Sequence, residues 1–469
     1  MFDEITWLSA WEIRDLIVQR EISATAVTEH FLQRIEEFDP VLHAFAHVDT
    51  DGARERAASA DRDQRQGAPL GLLHGVPIAV KENIEVEGMP YSMPRLGVQR
   101  QGRYDDILVE RLRSAGAVIV GKNSMMGTGQ QLDGAAQGGS DRRGSFNWEL
   151  EARNPWDLSR VPGWSSSGPA AATAAALVPV AIGGDGGGST RLPAAYSGVL
   201  GLHPTQGLIP FIDYTHPTFR LTGTSGPLAR HARDAALIMQ AVAGPDGRDY
   251  ICLPHDPPDY IAPLSDGLRD VRLAWTDDFG FASRYATSET SRIIGLARDA
   301  VLSLTTHGAR IDVIDISWEP ALRGGGPAQG EPSVYDIEVT GSPAQLPPTD
   351  PEAYRAAAEW RARNWKRFRD VFNRYDLIVS VTSPRIAPTI EDWKALWGSD
   401  YLAMAEAYVG YTVLANLLGL PAISIPCGYI DGMPIGLQAI GPPCSEHKLF
   451  SFAASFEQAF PAGARPPVS

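Results

Sequence analysis

Between Gly183 and Gly188 the chain carries five glycines interrupted only by Asp185, and Ser189 follows at once. Such a run disfavours a helix, because glycine loses more backbone freedom on ordering than any other residue. It also lets consecutive backbone N–H groups face an anion without side chains in the way. The residues before it are apolar: Ala170–Leu177 reads as an Ala-rich helix and Val178–Ile182 as a strand. Helix, strand, glycine loop and serine hydroxyl must therefore follow one another within about twenty positions.

Three uses suit such a loop. A phosphate cradle is one, but a Walker loop needs a lysine directly before its Ser or Thr, and Gly188 stands there. No GxGxxG occurs in the stretch either. The second use is an oxyanion hole, with amides aimed at the oxygen of a tetrahedral intermediate. The third is a tight turn that spares steric conflict, and on the loop alone it is as good a reading as catalysis. If Ser189 is a nucleophile it needs a base, and ten histidines are available. Yet no G-x-S-x-G elbow is present, since Gly163-Trp164-Ser165-Ser166-Ser167 fails at its last position. The S-x-x-K match from Ser445 to Lys448 lacks SDN and KTG companions and reads as a helix cap. With no HExxH and no ligand-spaced His/Cys/carboxylate cluster, neither a metal nor any other cofactor is expected.

Bulk properties narrow the partners. The 469 residues are 44% hydrophobic, enough for one large core or two ordinary ones. A formal charge of −15 with no basic stripe argues against nucleic acid and against anionic membranes. Cys252, Cys427 and Cys444 show no CxxC spacing and read as small buried hydrophobes. The start, Met-Phe-Asp-Glu-Ile, lacks the character of a signal peptide, and the longest apolar stretch, Ala170–Ile182, is short for a membrane span and contains Pro179. The expected location is the cytoplasm, and a homodimer is compatible with all of this.

Along the chain, two helices occupy the first forty residues, Ser23 capping the second, where Val27, Phe31 and Ile35 recur at helical spacing. Gly75–Val80 suits a buried strand ending at Lys81, followed by a helix over Asp106–Arg113 and a strand at Ala117–Val120. Leu132–Glu151 reads as an irregular polar insertion, and Pro162–Pro169 as a Ser/Gly/Pro loop. Val271–Trp275, Ile311–Ile316 and Leu377–Val381 read as buried strands, with a helix over Glu352–Asn373 and a Gly/Pro-rich connection at Arg323–Pro351, long enough for a lid or substrate wall. Pro421–Pro426 closes the strand series, and a last helix follows Ser445 with Leu449, Ala453, Phe456 and Phe460 on one face. This alternation implies an α/β sandwich.

Three segments decide among the readings by occurring together and in order: Gly75–Ile84 (GVPIAVKENI), Pro162–Ala172 (PGWSSSGPAAA) and Gly183–Gly201 (GGDGGGSTRLPAAYSGVLG). With them the sequence closely resembles the amidase signature family, hydrolases with a Ser–Ser–Lys triad. The likeness continues through Gly223–Ala236, Tyr375–Pro384, Ala415–Gly428 and Gly432–Pro442. It implies one α/β/α domain over residues 1–469, with a mixed, twisted central sheet covered by helices on both faces. Within it, N-terminal helices would fill about 5–60, the signature core about 70–245, and the rest of the sheet and pocket about 246–469. Carried over by position, the nucleophile falls on Ser189, the bridging serine, which in the family follows a cis peptide bond, on Ser165, and the lysine on Lys81. The oxyanion-hole amides fall on Gly186, Gly187, Gly188 and Ser189. Asp185 and Arg191 match a supporting charged pair, Ser166 orders the loop, and Trp164 and Met126 are assigned to the substrate pocket.

The physics of that triad is coherent. A lysine near its ordinary pKa of about 10.4 is charged and useless as a base at neutral pH. Burial among Pro77, Ile78, Ala79 and Val80 disfavours the charged form. A neutral Lys81 can take a proton from Ser165, which takes one from Ser189. Four positions depart from the family pattern: Trp164 replaces a Gly, Ser167 and Pro169 replace a Gly and a Ser, and Gly186 replaces a Thr. The last variant resembles some bacterial amidases acting on cyclic or linear amide oligomers. The expected activity is hydrolysis of a small amide-type substrate: an aliphatic amide, aryl amide, urea or carbamate. The rivals are a glutaminase subunit of an amidotransferase and a non-catalytic binding protein on the same scaffold.

Overall fold

The computed structural model describes residues 5–93, 98–127, 148–212, 222–280, 286–317, 351–398, 407–461 and 464–469. Most of the expected insertion at 132–151, and nearly all of the connection at 323–351, lie outside them.

Among the described residues thirteen strands form: β1 (Phe45–Val48), β2 (Pro77–Lys81), β3 (Pro90–Met93), β4 (Val98–Gln101), β5 (Val118–Asn123), β6 (Val180–Asp185), β7 (Leu200–His203), β8 (Thr224–Ala229), β9 (Arg272–Trp275), β10 (Arg310–Val313), β11 (Leu377–Val381), β12 (Ala422–Ile430) and β13 (Met433–Ile440). Eleven of them make one sheet in the order β1-β5-β2-β6-β8-β7-β12-β13-β11-β9-β10, while β3 and β4 pair separately. The sheet is mixed. β2 runs parallel to both β5 and β6, and β9 runs parallel to β10 and β11. The pairs β6–β8, β7–β8, β7–β12, β12–β13, β11–β13 and β1–β5 are antiparallel. Every residue of β2, β5, β6, β11 and β13 is buried, as expected for strands covered on both faces. This is the α/β architecture expected from the sequence. No helix among the described residues is long and apolar enough to cross a membrane.

Local chemistry explains the element boundaries. Ser23 accepts the Ala26 amide at 3.0 Å and opens the helix Ala24–Leu42, whose Val27, Phe31 and Ile35 are buried. Asp106 accepts the Leu108 amide and opens Ile107–Ser114. Several boundaries differ from the sequence reading. The Ala-rich helix spans Ser167–Ala174, three residues earlier than expected, which shortens the serine loop. β6 begins at Val180 and continues through Gly183 and Gly184 to Asp185, because those glycines pair with Gly226 and Ser225 of β8. β12 runs past Pro426 to Ile430 by a register shift between Pro426 and Gly428.

Two expectations fail outright. Residues 311–316 do not form a buried strand: β10 is largely exposed, and among the described residues it is an edge strand that pairs with β9 alone. Ser445 stands at the start of helix Glu446–Ala459 but makes no side-chain cap; its hydroxyl donates to the Pro442 carbonyl at 2.6 Å instead. In that helix Leu449, Ala453 and Phe456 are buried, while Phe460 lies past its end and is exposed.

Candidate active site

Two adjacent parallel strands bring the quoted motifs together. β2 and β6 run side by side with Val80 opposite Ile182, so Lys81 and Asp185 end neighbouring strands at the same edge of the sheet. Carboxyl ends of parallel strands are where open α/β sheets leave room for a ligand. Lys81 is 1% exposed. Its Nζ lies 2.8 Å from Ser165 Oγ, 3.1 Å from Ser166 Oγ and 3.4 Å from the Gly184 carbonyl.

Ser166 is fully buried and locks this corner. Its hydroxyl donates to the Gly184 carbonyl at 3.0 Å and accepts the Gly184 amide at 3.2 Å, which ties the serine loop to β6. Its own amide donates to the Ser189 carbonyl at 3.2 Å. The Ser189 side chain is nearly buried, and its hydroxyl forms no hydrogen bond among the described residues. The structure thus joins Lys81 to Ser165 directly, and joins the serine loop to Ser189 through backbone, without a hydroxyl–hydroxyl link from Ser165 to Ser189.

The backbone before Ser165 differs from expectation. Among the described residues no peptide bond is cis, so the Trp164–Ser165 bond is trans. The trans form avoids a cost of about 3–4 kcal/mol for a non-proline cis bond. The chain makes its bend at Gly163 instead, where φ is +137°, and a Cβ there would lie 2.6 Å from Pro193 Cα.

The glycine loop is held by a buried ion pair. The Arg191 Nε donates to Asp185 Oδ2 at 3.0 Å with both side chains fully buried. Asp185 also accepts the amides of Gly188 at 2.6 Å and Thr190 at 3.2 Å. Burial alone would raise its carboxyl, but Arg191 and His203 outweigh that, with hydrogen bonds from Arg191 and Asn416, and hold it well below the usual carboxylate range. Burial pushes the neighbouring His203 down to about 4, so it is neutral at pH 7.

One assignment changes as a result. The Gly188 amide is committed to Asp185, so of the four expected oxyanion donors Gly186, Gly187 and Ser189 remain without a partner among the described residues. Gly188 has φ +121°, and a Cβ there would fall 2.1 Å from Thr412 Oγ1.

The sequence reading missed the residues that brace this loop from behind. Thr412 Oγ1 donates to the Gly187 carbonyl at 2.9 Å, and Asn416 Nδ2 donates to both the carbonyl and the carboxylate of Asp185 at 3.0 and 2.9 Å. Arg191 donates to the Thr412 carbonyl at 2.8 Å, to Gln438 Oε1 at 2.7 Å and to Asn416 Oδ1 at 2.5 Å. Asn416 and Gln438 fall inside Ala415–Gly428 and Gly432–Pro442, so their motifs were visible although their tasks were not. Lys122, fully buried on β5, donates to the Ile84 carbonyl in the turn after Lys81. Burial pushes its ammonium down to about 7 against the pull of Glu82 and Glu85.

Trp164 and Met126 fall in one buried apolar cluster, separate from the main core, with Leu192 and Tyr196 of the helix that follows Ser189. Among the described residues no group of three or more His, Cys, Asp or Glu is arranged to hold a metal ion. A buried amine against a serine pair, beside unpartnered amides and a second serine, is suited to proton relay and to stabilising an oxyanion.

A family model described as Amidase matches residues 26–321 and 339–450. A glutamyl-tRNA(Gln) amidotransferase component from Salinispora arenicola is 33% identical to the chain, covering 97% of it and 98% of that protein. Among solved structures, the native peptide amidase of Stenotrophomonas maltophilia is 28% identical with a TM-score of 0.77, covering 99% of both chains. A 6-aminohexanoate cyclic dimer hydrolase is 25% identical with a TM-score of 0.79, again covering 99% of both.

Proposed function

This chain belongs to the amidase signature family of hydrolases, and we propose that it cleaves the C–N bond of an amide-type substrate through an acyl-enzyme on Ser189. Ser165 carries the proton between Ser189 and Lys81, and Lys81 is the base. The observation that carries this reading is the 2.8 Å approach of Lys81 Nζ to Ser165 Oγ at the buried end of β2.

The hydrogen-bond directions favour the role given to Ser165. The Gly184 carbonyl has no proton to offer, and Ser166 already gives its own to that carbonyl. Of these three oxygens, Ser165 is the one that can donate to the lone pair of a neutral amine. Ser166 and Gly184 then accept the two remaining N–H groups and aim the lone pair. Ser166 is thus a positioning residue and Ser165 a relay.

The steps balance as follows. Ser165 passes its proton to Lys81 and takes the Ser189 proton while Ser189 Oγ bonds to the carbonyl carbon. The carbonyl oxygen becomes an oxyanion within reach of the Gly186, Gly187 and Ser189 amides. As the C–N bond breaks, Ser165 protonates the leaving nitrogen and recovers a proton from the Lys81 ammonium. Water then attacks the ester by the same relay, releasing the acid and restoring the Ser189 hydroxyl. The hydroxyls of Ser165 and Ser189 close on one another only with substrate in place, as catalytic hydrogen bonds in unliganded sites often do.

The whole chain, 1–469, acts as one catalytic unit on a small molecule, with no cofactor in the chemistry. A second reading rests on the curated relative: the protein from Salinispora is one subunit of a glutamyl-tRNA(Gln) amidotransferase, so this chain would act as the glutaminase of such an assembly. Release of ammonia from glutamine, measured with and without the partner subunits, separates the two. The test of the main reading is a hydrolysis screen over aliphatic amides, aryl amides, ureas and carbamates, with mass spectrometry for an acyl adduct on Ser189. No turnover in any class, together with no adduct, sinks it.

A further inference from the structure

Thr412 stands at the N-cap of helix Val413–Leu418, where a threonine ordinarily accepts an amide of the first turn. Here its side chain caps nothing. It is fully buried, and its hydroxyl reaches two carbonyls instead, Gly187 at 2.9 Å and Val409 at 3.0 Å. A hydroxyl has one proton to give. The Val409 carbonyl already accepts the Thr412 amide at 2.9 Å, whereas the Gly187 carbonyl has no other partner among the described residues. The proton therefore belongs to Gly187.

That bond completes the hold on one peptide unit. Its carbonyl, from Gly187, is taken by Thr412, and its N–H, from Gly188, by Asp185 at 2.6 Å. The amides on either side, Gly187 and Ser189, are two of the three left for an oxyanion. Glycine backbone turns at low cost, so a unit held at one end only can pivot and carry those amides with it. Thr412 can resist this because its own backbone is fixed. Gln438 Nε2 donates to the Tyr411 carbonyl at 2.9 Å, the Tyr411 hydroxyl donates to the Asp277 carbonyl at 2.7 Å, and Arg191 donates to the Thr412 carbonyl at 2.8 Å. The fit to Gly188 is close as well, since a Cβ there would fall 2.1 Å from Thr412 Oγ1.

We propose that Thr412 is a positioning residue for the reaction, its hydroxyl fixing the Gly187–Gly188 peptide so that the Gly187 and Ser189 amides aim at the oxyanion. It acts through the loop and not on the substrate itself. The inference rests on the reading of Ser189 as nucleophile and adds to it a residue outside the quoted motifs. Its effect belongs to the transition state, where the oxyanion forms, and not to the binding of substrate.

Thr412→Val removes the hydroxyl and keeps the branched shape, while Thr412→Ser keeps the hydroxyl. Kinetics are read on the amide R–CO–NHR′ that the wild type cleaves fastest. Inhibition is read with the aldehyde R–CHO and the alcohol R–CH2OH. Ser189 Oγ bonds to the aldehyde carbon, its proton passes through Ser165 to Lys81, and the aldehyde oxygen becomes an oxyanion; the alcohol forms none. In Thr412→Val, kcat should fall about 10- to 100-fold while KM stays within about threefold of the wild type. The aldehyde Ki should rise by a similar factor and the alcohol Ki should not move. Thr412→Ser should bring kcat and aldehyde affinity back to within about threefold of the wild type.

If Thr412→Val does not fold, Thr412→Cys, whose thiol donates weakly, carries the same test with a smaller loss of kcat. A folded Thr412→Val with unchanged kcat and aldehyde affinity overturns the inference. Equal losses of aldehyde and alcohol affinity, or a Thr412→Ser enzyme as poor as Thr412→Val, also overturn it, because either means a distorted site rather than misdirected amides. A wild type that cleaves no amide and forms no Ser189 adduct overturns the functional reading instead.

Discussion

Replacing Arg191 by Met should loosen the loop that presents Ser189, and the contacts set the size of the effect. The guanidinium neutralises Asp185 in a fully buried pair and also serves the Thr412 carbonyl, Gln438 Oε1 and Asn416 Oδ1. Methionine matches its length but carries no donors. Asp185 would keep the Gly188 and Thr190 amides and Asn416 Nδ2, so its charge would remain partly satisfied. Removing one member of a buried pair costs about 3–5 kcal/mol, and each orphaned acceptor adds to it, but such neighbouring terms do not sum. A loss of about 4 kcal/mol follows. At roughly 2 °C per kcal/mol for a large chain, that is a fall of about 8 °C in melting temperature. Function should suffer as well, since the loss of a single oxyanion donor costs about 100- to 1,000-fold in rate. The assay pairs thermal melting by circular dichroism with the rate of Ser189 labelling by an acylating reagent. A variant that melts within about 2 °C of the wild type and labels at the same rate refutes the idea that this pair holds the loop.

Other outcomes follow from the same geometry. Ser189→Ala should abolish turnover and labelling with the fold retained, and a tenth of the wild-type rate in that protein would remove Ser189 from the nucleophile role. Lys81→Arg should be nearly as inactive as Lys81→Ala, because a guanidinium does not give up its proton; near-normal rates would show that only positive charge is needed. Ser166→Ala should cost less than Ser165→Ala, as expected for a residue that aims the amine rather than relays the proton, and equal losses would contradict that division. Burial pushes the Glu457 carboxyl up to about 8 against the bond it accepts from the Ala232 amide, with Asp234 adding to the rise. A carboxyl with a raised folded-state pKa holds more protons folded than unfolded, so stability falls as pH climbs from the ordinary carboxylate range through about 8. Glu457→Gln should remove that fall, its melting temperature matching the wild type's pH profile near pH 5 and exceeding it by a growing margin toward pH 9; parallel profiles would contradict this.

The chemistry-bearing segments were legible because each is contiguous and long. Lys81 ends an apolar run, Ser165 sits in a serine loop and Ser189 ends a glycine run, but it was the resemblance of these segments, together and in order, to the amidase signature family that singled them out. The strand and helix centres were legible for a similar reason, since their burial pattern repeats within a few residues. What the sequence could not convey depends on contacts between distant positions. The Gly188 amide was expected to be free, but the Asp185 carboxylate three residues earlier turns back to take it, a competition that arises only in the folded loop. Residues 311–316 have the apolar character of a central strand, yet β10 is the last strand of the sheet among the described residues. Thr412, Asn416 and Gln438 reach the loop from 220 to 250 positions away, a range over which no periodicity carries information.

Trp164 shows where the two kinds of information meet. The sequence marks it as foreign to its motif, which is a local fact. Its consequence comes from Trp393 and Tyr408, more than two hundred residues downstream, whose rings pack in series behind it. A glycine at this position would remove the ring that Trp393 packs against, and a tryptophan fills that place with apolar surface. The family motifs bear on reaction class and the departure from them bears on substrate, so the two should respond to mutation independently: Lys81 and Ser165 variants should lower the rate on every amide alike, whereas Trp164 variants should change the ranking among amides.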